Sequence, residues 1–296
     1  MEKLKIDIDK IVNKLDIVTK EAVTSNIIGG YKSVFRGRGL EFDSYKKYNR
    51  DEDSKDIDWK ASLRAGELLV KQYIEERNLE IFFLVDISSS MVYGTTSKLK
   101  SEYAAEVVAS LSYVILKSGD TAGLALFSDR IVAKVPPSKH MHQFYMLSKN
   151  LSNPYFYGGN FDFESALKFL TTYIKKRAVV IIVSDFIGLD GDWLKYLKIA
   201  SSKLDIIAVM IRDPADRDLP DNNHPVLVSD PYSDNQLLIV PNKIKKEYSQ
   251  YTRLQENAIR EAFLNSHCDF VKLVTDKQFA GYLIRFFQER KKRLGV

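Results

Sequence analysis

The sequence predicts an α/β fold built on a doubly wound, mostly parallel sheet, and two patterns carry that expectation. Residues 79–86, 178–183 and 205–211 are continuously apolar runs rich in Ile, Val, Leu and Phe. A strand buried on both faces has no reason to alternate polar and apolar residues, so such runs read as interior parallel strands. The segments between them carry apolar residues at helical spacing. Across residues 98–116, Tyr103, Ala104, Val107, Val108, Leu111 and Ile115 fall on one side. Strands that alternate with helices are joined by crossovers, which set them parallel with helices on both faces.

Residues 5–24 place Ile6, Ile8, Ile11, Leu15, Val18 and Ala22 at near-helical spacing and read as one amphipathic helix, ended by Gly29-Gly30. Residues 31–78 are dense in charge and aromatic side chains, and only 68–73 reads as a strand. The 79–86 strand follows, then the 98–116 helix, stopped by Ser118-Gly119-Asp120. Residues 121–127 form a short apolar strand that pairs with 131–135 as a hairpin, and Pro136-Pro137 breaks the chain. Helices are expected at 141–150, 162–175 and 193–203. Residues 213–240 carry Asp-Pro and Leu-Pro breaks and form an irregular excursion with a short hairpin. A long polar helix over 242–266, a strand over 268–274 and a helix over 277–292 complete the chain. The expected organisation is an N-terminal helix (1–30), a charged and aromatic platform (31–78) and an α/β domain (79–296).

Composition excludes several function classes. The 296 residues are 45% hydrophobic and 28% charged, ordinary for a soluble globular protein. No apolar run approaches the ~20 residues that span a bilayer, and residues 1–20 lack the apolar core of a signal peptide. The single cysteine, Cys268, permits no internal disulfide and falls in a strand, as a core residue. These features place the protein in the cytoplasm. Forty-four basic residues against 39 acidic give +5, too mild and too scattered for a nucleic-acid partner. His140 and His142 stand two apart, which on a helix puts them on different faces and argues against zinc. The sequence holds neither a phosphate-binding Gly-x-x-x-x-Gly-Lys-Ser/Thr loop nor a Gly-x-Ser-x-Gly nucleophile elbow.

The chemistry concentrates after the first apolar run, where the chain reads Val85-Asp86-Ile87-Ser88-Ser89-Ser90. A carboxylate and two hydroxyls on one tight loop are hard oxygen donors, suited to Mg²⁺ or Mn²⁺ rather than zinc. A second apolar run ends in Ser184-Asp185. In a doubly wound sheet, neighbouring strands open their carboxyl ends onto one crevice, so Asp86, Ser88, Ser90 and Asp185 are expected to meet there. The bland alternative is a polar loop in which Ser90 caps the next helix.

The order of these motifs resembles the von Willebrand factor A fold and its metal-ion-dependent adhesion site. Asp86, Ser88 and Ser90 match the Asp-x-Ser-x-Ser motif, and Asp185 matches the later aspartate. The middle motif departs, because Phe161 stands where that site has a threonine. Asn160, Asp162 or a water is the available substitute, and weak affinity is expected. Upstream, Gly37-x-Gly39-x-Glu41-Phe42, Tyr48, Ile57-Asp58-Trp59, Arg64, Gly66 and Tyr73-x-Glu75-Glu76-Arg77 occur in order. They are similar to the signature of the domain-of-unknown-function 58 family. The resemblance covers most of the chain and implies a von Willebrand factor A-like domain whose partner is a MoxR-type AAA+ ATPase, acting in chaperone-like maturation of a client protein.

The expected function is therefore a non-enzymatic protein–protein interaction module. Its Mg²⁺ (or Mn²⁺), held by Asp86, Ser88, Ser90, Asp185 and Asp162, would be completed by a partner carboxylate. Two other readings stand beside it: a metal-dependent phosphate-ester hydrolase using the same aspartates, and a metal-free scaffold with a vestigial site. The platform has two readings as well. In one, Asp58, Trp59 and Arg64 form a partner-binding surface. In the other, favoured on the residues alone, they are a salt-bridged brace for the first strand, with Trp59 buried.

Overall fold

The computed structural model describes residues 38–49, 57–76 and 79–294. The helix expected over 5–24 lies outside the described residues, as do Gly37, residues 50–56 and Arg77. In chain order, β1 (Arg38–Lys47), α1 (Trp59–Ala65) and β2 (Leu69–Glu76) come first, with β1 and β2 paired antiparallel. There follow β3 (Glu80–Asp86), α2 (Lys100–Lys117), β4 (Thr121–Phe127), β5 (Ile131–Ser138), α3 (His142–Leu151) and α4 (Phe163–Tyr173). Next are β6 (Val179–Ser184), α5 (Trp193–Ser201) and β7 (Asp205–Arg212). A small hairpin, β8 (Val226–Ser229) and β9 (Gln236–Ile239), precedes α6 (Pro241–Asn265), β10 (Asp269–Val274) and α7 (Phe279–Leu294).

Six strands form the central sheet in the order β10-β7-β6-β3-β4-β5. Every neighbouring pair is parallel except β4–β5. The α/β, mostly parallel class expected from the sequence is the one present. β3 explains why continuous hydrophobicity was the right signal. Ile81, Phe83 and Val85 enter a core layer with α2, α3 and α7, while Phe82 and Leu84 enter the opposite layer with α4, α5 and α6. Both faces of the strand are dry, so neither tolerates a polar residue.

Chain order positions the site. From β3 the chain builds outward through β4 and β5, then returns to β6 on the other flank and builds outward through β7 and β10. The reversal falls between β3 and β6. In open α/β sheets ligand crevices lie at such a switch point, beyond the carboxyl ends of the strands.

Two expectations are corrected here. Pro136-Pro137 does not break the chain but lies inside β5. β5 is an edge strand, where a missing N–H breaks no interior ladder. Its ring is accommodated at Gly123 of β4, where a Cβ would lie 2.9 Å from Pro137 Cγ and 2.8 Å from Phe82 Cδ2. The second correction concerns 38–66, where β1 and α1 form although the pattern there was too irregular to predict them. Asp58 starts α1 by capping it, its Oδ1 accepting from the N–H groups of Lys60 (3.0 Å) and Ala61 (3.1 Å).

Candidate functional site

The carboxyl ends of β3 and β6 bring the predicted aspartates together. Val85 of β3 pairs with Val183 of β6, so Asp86 ends its strand beside Ser184 and Asp185. All three are fully buried. Asp86 Oδ1 accepts from the Ser88 N–H at 2.8 Å, which folds the loop back on the strand end. Asp86 Oδ2 accepts from Ser184 Oγ at 2.6 Å, and Ser184 Oγ in turn accepts from the Phe186 N–H at 2.8 Å. Phe186 takes a φ of 53°, rare for a bulky side chain, and is buried in the aromatic core. Burial, and after it the Asp185 carboxylate, pushes Asp86 up to about 7, against the hydrogen bonds from Ser184 and Ser88.

Ser88 and Ser90 lie on the same loop with their hydroxyl oxygens 3.3 Å apart. The loop is stitched to its surroundings by three backbone bonds: Ile87 N–H to the Phe127 carbonyl (2.9 Å), Gly158 N–H to the Ile87 carbonyl (2.8 Å), and Ser89 N–H to the Gly159 carbonyl (3.0 Å). The Gly-Gly loop therefore sits against the serine loop, as the sequence resemblance implies.

Phe161 and Asp162 do not point chemistry into this cluster. The Phe161 ring stacks on Phe163 (centroids 6.1 Å, planes 8° apart) and lies 5.8 Å from Phe127. Asp162 is the N-cap of α4, accepting from the Ser165 N–H at 2.8 Å and Ser165 Oγ at 2.6 Å. A helix start is ample reason for an aspartate there.

Four residues at the centre were not singled out in the sequence: Lys100, Tyr232, Asp213 and Asp216. Lys100, the first residue of α2, is 1% exposed. Its Nζ donates to Asp185 Oδ2 at 2.7 Å and to Asp216 Oδ2 at 2.9 Å, and lies 5.8 Å from the centroid of the Tyr93 ring. Burial alone would lower the lysine, but the Asp185 and Asp216 carboxylates outweigh it and hold the ammonium above its ordinary value. Asp216 also accepts from the Asp213 N–H at 2.9 Å. Asp213 clamps three segments, accepting from Thr95 N–H (2.8 Å), Thr95 Oγ1, the Ala215 N–H (2.9 Å) and Thr275 Oγ1 (3.1 Å).

Tyr232 arrives from the tip of the β8–β9 hairpin. Its hydroxyl lies 2.8 Å from Ser90 Oγ, 3.2 Å from Ser88 Oγ and 3.0 Å from the Ile187 carbonyl. The ring passes so close to Gly188 that a Cβ there would meet Tyr232 Cε2 at 2.9 Å, and Gly188 has a φ of 88°. Glycine is the residue that meets both demands. A sequence signal for Lys100 existed: it precedes Ala104 by four and Val107 by seven, on the buried stripe of α2. Tyr232 had none, being 47 residues past Asp185 in an irregular segment.

Mg²⁺ requires about six oxygens at ~2.0–2.1 Å in octahedral array. The donors at this centre are of the right chemical kind, but as arranged they do not fit that ion. An ammonium already occupies the Asp185 side, the Tyr232 phenol faces both serines, and an aromatic stack takes the threonine position. Among the described residues, no group of three or more His, Cys, Asp or Glu side chains is placed to hold a metal.

The platform residues are carried by α1 and its N-cap. Asp58 caps α1 and also accepts from Tyr45 OH at 3.1 Å. Trp59 is 63% exposed, so it is not the buried keystone of a brace. Arg64 is exposed in the last turn of α1.

A doubly wound sheet with an Asp-x-Ser-x-Ser loop at its switch point is the arrangement that the resemblance to the von Willebrand factor A fold implies. The profile of the protein of unknown function family DUF58 matches residues 44–258, and the chain belongs to that family. An uncharacterised protein of Mycobacterium tuberculosis is 22% identical over 280 residues, covering 94% of this chain and 88% of the relative. Among solved structures, a conserved hypothetical protein, BatB, from Bacteroides thetaiotaomicron is 14% identical with a TM-score of 0.49, covering 72% of this chain and 99% of that one. A von Willebrand factor type A protein from Catenulispora acidiphila is 12% identical with a TM-score of 0.35, over 77% of this chain and 44% of that one. No helix among the described residues is long and apolar enough to cross a membrane.

Proposed function

We propose that the chain is a non-enzymatic protein-interaction module whose polar centre fixes the loops at the sheet's carboxyl edge and whose contact surface includes α1. The observation that carries this reading is the exposed pair Trp59 and Leu63. They stand four residues apart on α1, hence on one face, with 63% and 84% of their surfaces open. Tryptophan is the residue type most enriched in the energetic centres of protein interfaces. Asp58 holds the start of the helix that presents them, and Arg64 adds a charge at its rim. The polar centre suits organisation rather than chemistry. The Ser88 and Ser90 hydroxyls bond to each other and to Tyr232, and the one carboxylate that Ser88 also meets, Asp86, is already engaged by the Ser184 hydroxyl and the Ser88 N–H.

For the partner, the family resemblance supplies a candidate, a MoxR-type AAA+ ATPase, with an unidentified client protein as the object of their joint work. A Mg²⁺-bridged contact through Asp86, Ser88 and Ser90 belongs to this reading only in a rearranged centre, since Lys100 and Tyr232 would first have to leave their partners.

The test is a binding measurement between the purified chain and such an ATPase, using wild type and Trp59→Ala/Leu63→Ala. The double variant is expected to lose at least tenfold in affinity while melting at the wild-type temperature, because both side chains are exposed. Equal binding by the variant removes α1 from the interface. Failure of wild type to bind in the presence of nucleotide removes this class of partner.

A further inference from the structure

We propose that Lys100 is the resident cation of the switch-point centre. Its ammonium supplies at the Asp185 carboxylate the positive charge that a divalent ion would supply in an adhesion-type site, so the centre is complete without metal. The inference concerns what fills the centre and is independent of which partner binds α1.

Three observations converge on it. The first is the contact itself: one ammonium bridges two carboxylates, Asp185 from the end of β6 and Asp216 from the segment after β7, at 2.7 and 2.9 Å. Joining carboxylates from separate strand ends is what a bound cation does in a crevice of this kind. A lysine does it with tetrahedrally disposed N–H donors and one positive charge. The second is burial. Lys100 is 1% exposed, and a lysine is almost never fully buried unless it is paired. Its backbone is fixed at the same place, since the Lys100 N–H donates to the Tyr93 carbonyl at 2.9 Å and brings the side chain across the crevice.

The third is a conflict between local and global preference. The first turn of a helix favours acidic residues, because unpaired N–H groups give it partial positive charge. Lysine at the first position of α2 opposes that preference. Places where a sequence breaks a local rule mark positions held for another reason, and the two carboxylates supply it. The remaining coordination directions are closed by protein as well. The Tyr232 phenol sits on both serine hydroxyls, and Phe161 replaces the threonine with a ring directed into the aromatic core. A divalent ion added to this arrangement would stand against the ammonium while gaining no vacant carboxylate.

The experiment is calorimetric titration of the purified full chain with MgCl₂ and MnCl₂ to millimolar concentration. Melting curves are recorded alongside in EDTA and in excess Mg²⁺. Wild type is expected to give no saturable heat and the same melting temperature in both media. Lys100→Met removes the cation while keeping the length of the side chain, and leaves Asp185 and Asp216 uncompensated. It is expected to gain saturable divalent binding at least tenfold stronger than wild type and to melt higher in Mg²⁺ than in EDTA. Lys100→Arg, which keeps the charge, is expected to behave as wild type. Saturable Mg²⁺ binding by wild type overturns the proposal. So does a folded Lys100→Met chain, judged by near-UV circular dichroism, that gains no affinity for either ion. Should Lys100→Met fail to fold, Lys100→Met/Asp216→Asn removes one negative charge along with the cation and is read by the same criteria.

Discussion

Replacing Phe161 by threonine restores the residue type that an adhesion-type site has in its middle loop, and the structure predicts a loss rather than a gain. Phe161 belongs to an aromatic cluster in which it stacks on Phe163 at 6.1 Å and tilts against Phe127 at 5.8 Å. Each such pair contributes about 0.5–1.5 kcal/mol beyond area burial. Two pairs plus part of the ring's apolar surface give a loss of about 2–3 kcal/mol. That is below the ~3–5 kcal/mol of a fully buried phenylalanine, because Phe161 is only half-buried. At ~2–4 °C per kcal/mol for domains of this size, melting should fall by roughly 4–12 °C. Urea unfolding should show a lower midpoint at unchanged slope, the mark of a change in stability alone. A cycle with Phe127→Leu should return a coupling of about 0.5–1.5 kcal/mol. Metal affinity should stay where wild type has it, since Lys100 and Tyr232 are untouched. A loss under about 0.5 kcal/mol, or Mg²⁺ binding appearing in Phe161→Thr alone, would refute this account of the loop.

Three other outcomes follow from the centre and from α1. Asp86 is raised to about 7 chiefly by burial, against ~4 when unfolded. The folded chain thus holds a proton that the unfolded one has lost between those values, and stability must fall as pH rises from about 4 to 7. The urea midpoint should be higher at pH 5 than at pH 8 in wild type, with the difference much reduced in Asp86→Asn; an identical slope in the variant would assign the effect to other groups. Tyr232→Phe removes the hydroxyl shared by Ser88, Ser90 and the Ile187 carbonyl, and should cost about 1–2 kcal/mol of stability, with faster amide exchange at residues 187–189; no change in either would separate the hairpin from the centre. Asp58→Ala removes the cap of α1 and should cost about 1 kcal/mol, seen as faster exchange in residues 59–65 while the central sheet stays protected.

The sequence was most legible where one force dominates. β3, β6 and β7 are dry on both faces, so their residues could hardly be anything but apolar, and the strands form within about a residue of the expected ends. Asp86, Ser88, Ser90 and Asp185 were legible for a related reason, since strand ends at a switch point converge by topology alone. What pairs with them was not legible. Lys100 hides on the apolar stripe of α2, where a charged residue reads as an interruption rather than a contact. Asp216 and Tyr232 reach the centre from segments whose placement depends on tertiary packing. Asp162 was read as a ligand because its neighbour Phe161 could not be one, yet helix capping accounts for it. Of the elements over residues 38–76 only β2 was legible; β1 and α1 escaped notice because exposed elements such as α1 leave little periodic trace, and Trp59 and Leu63 face water.

The prolines of β5 limit how the protein can meet others. Pro136 and Pro137 take two N–H donors out of β5, the strand at one edge of the sheet. An incoming extended peptide would find a broken row of donors there, and so would the same strand of a second molecule. Growth of the sheet by intermolecular pairing is therefore discouraged on that side, even in a concentrated solution. Association on that side must proceed through side-chain surfaces carried by helices and loops, a mode in which recognition depends on shape and residue identity rather than on the backbone that all proteins share.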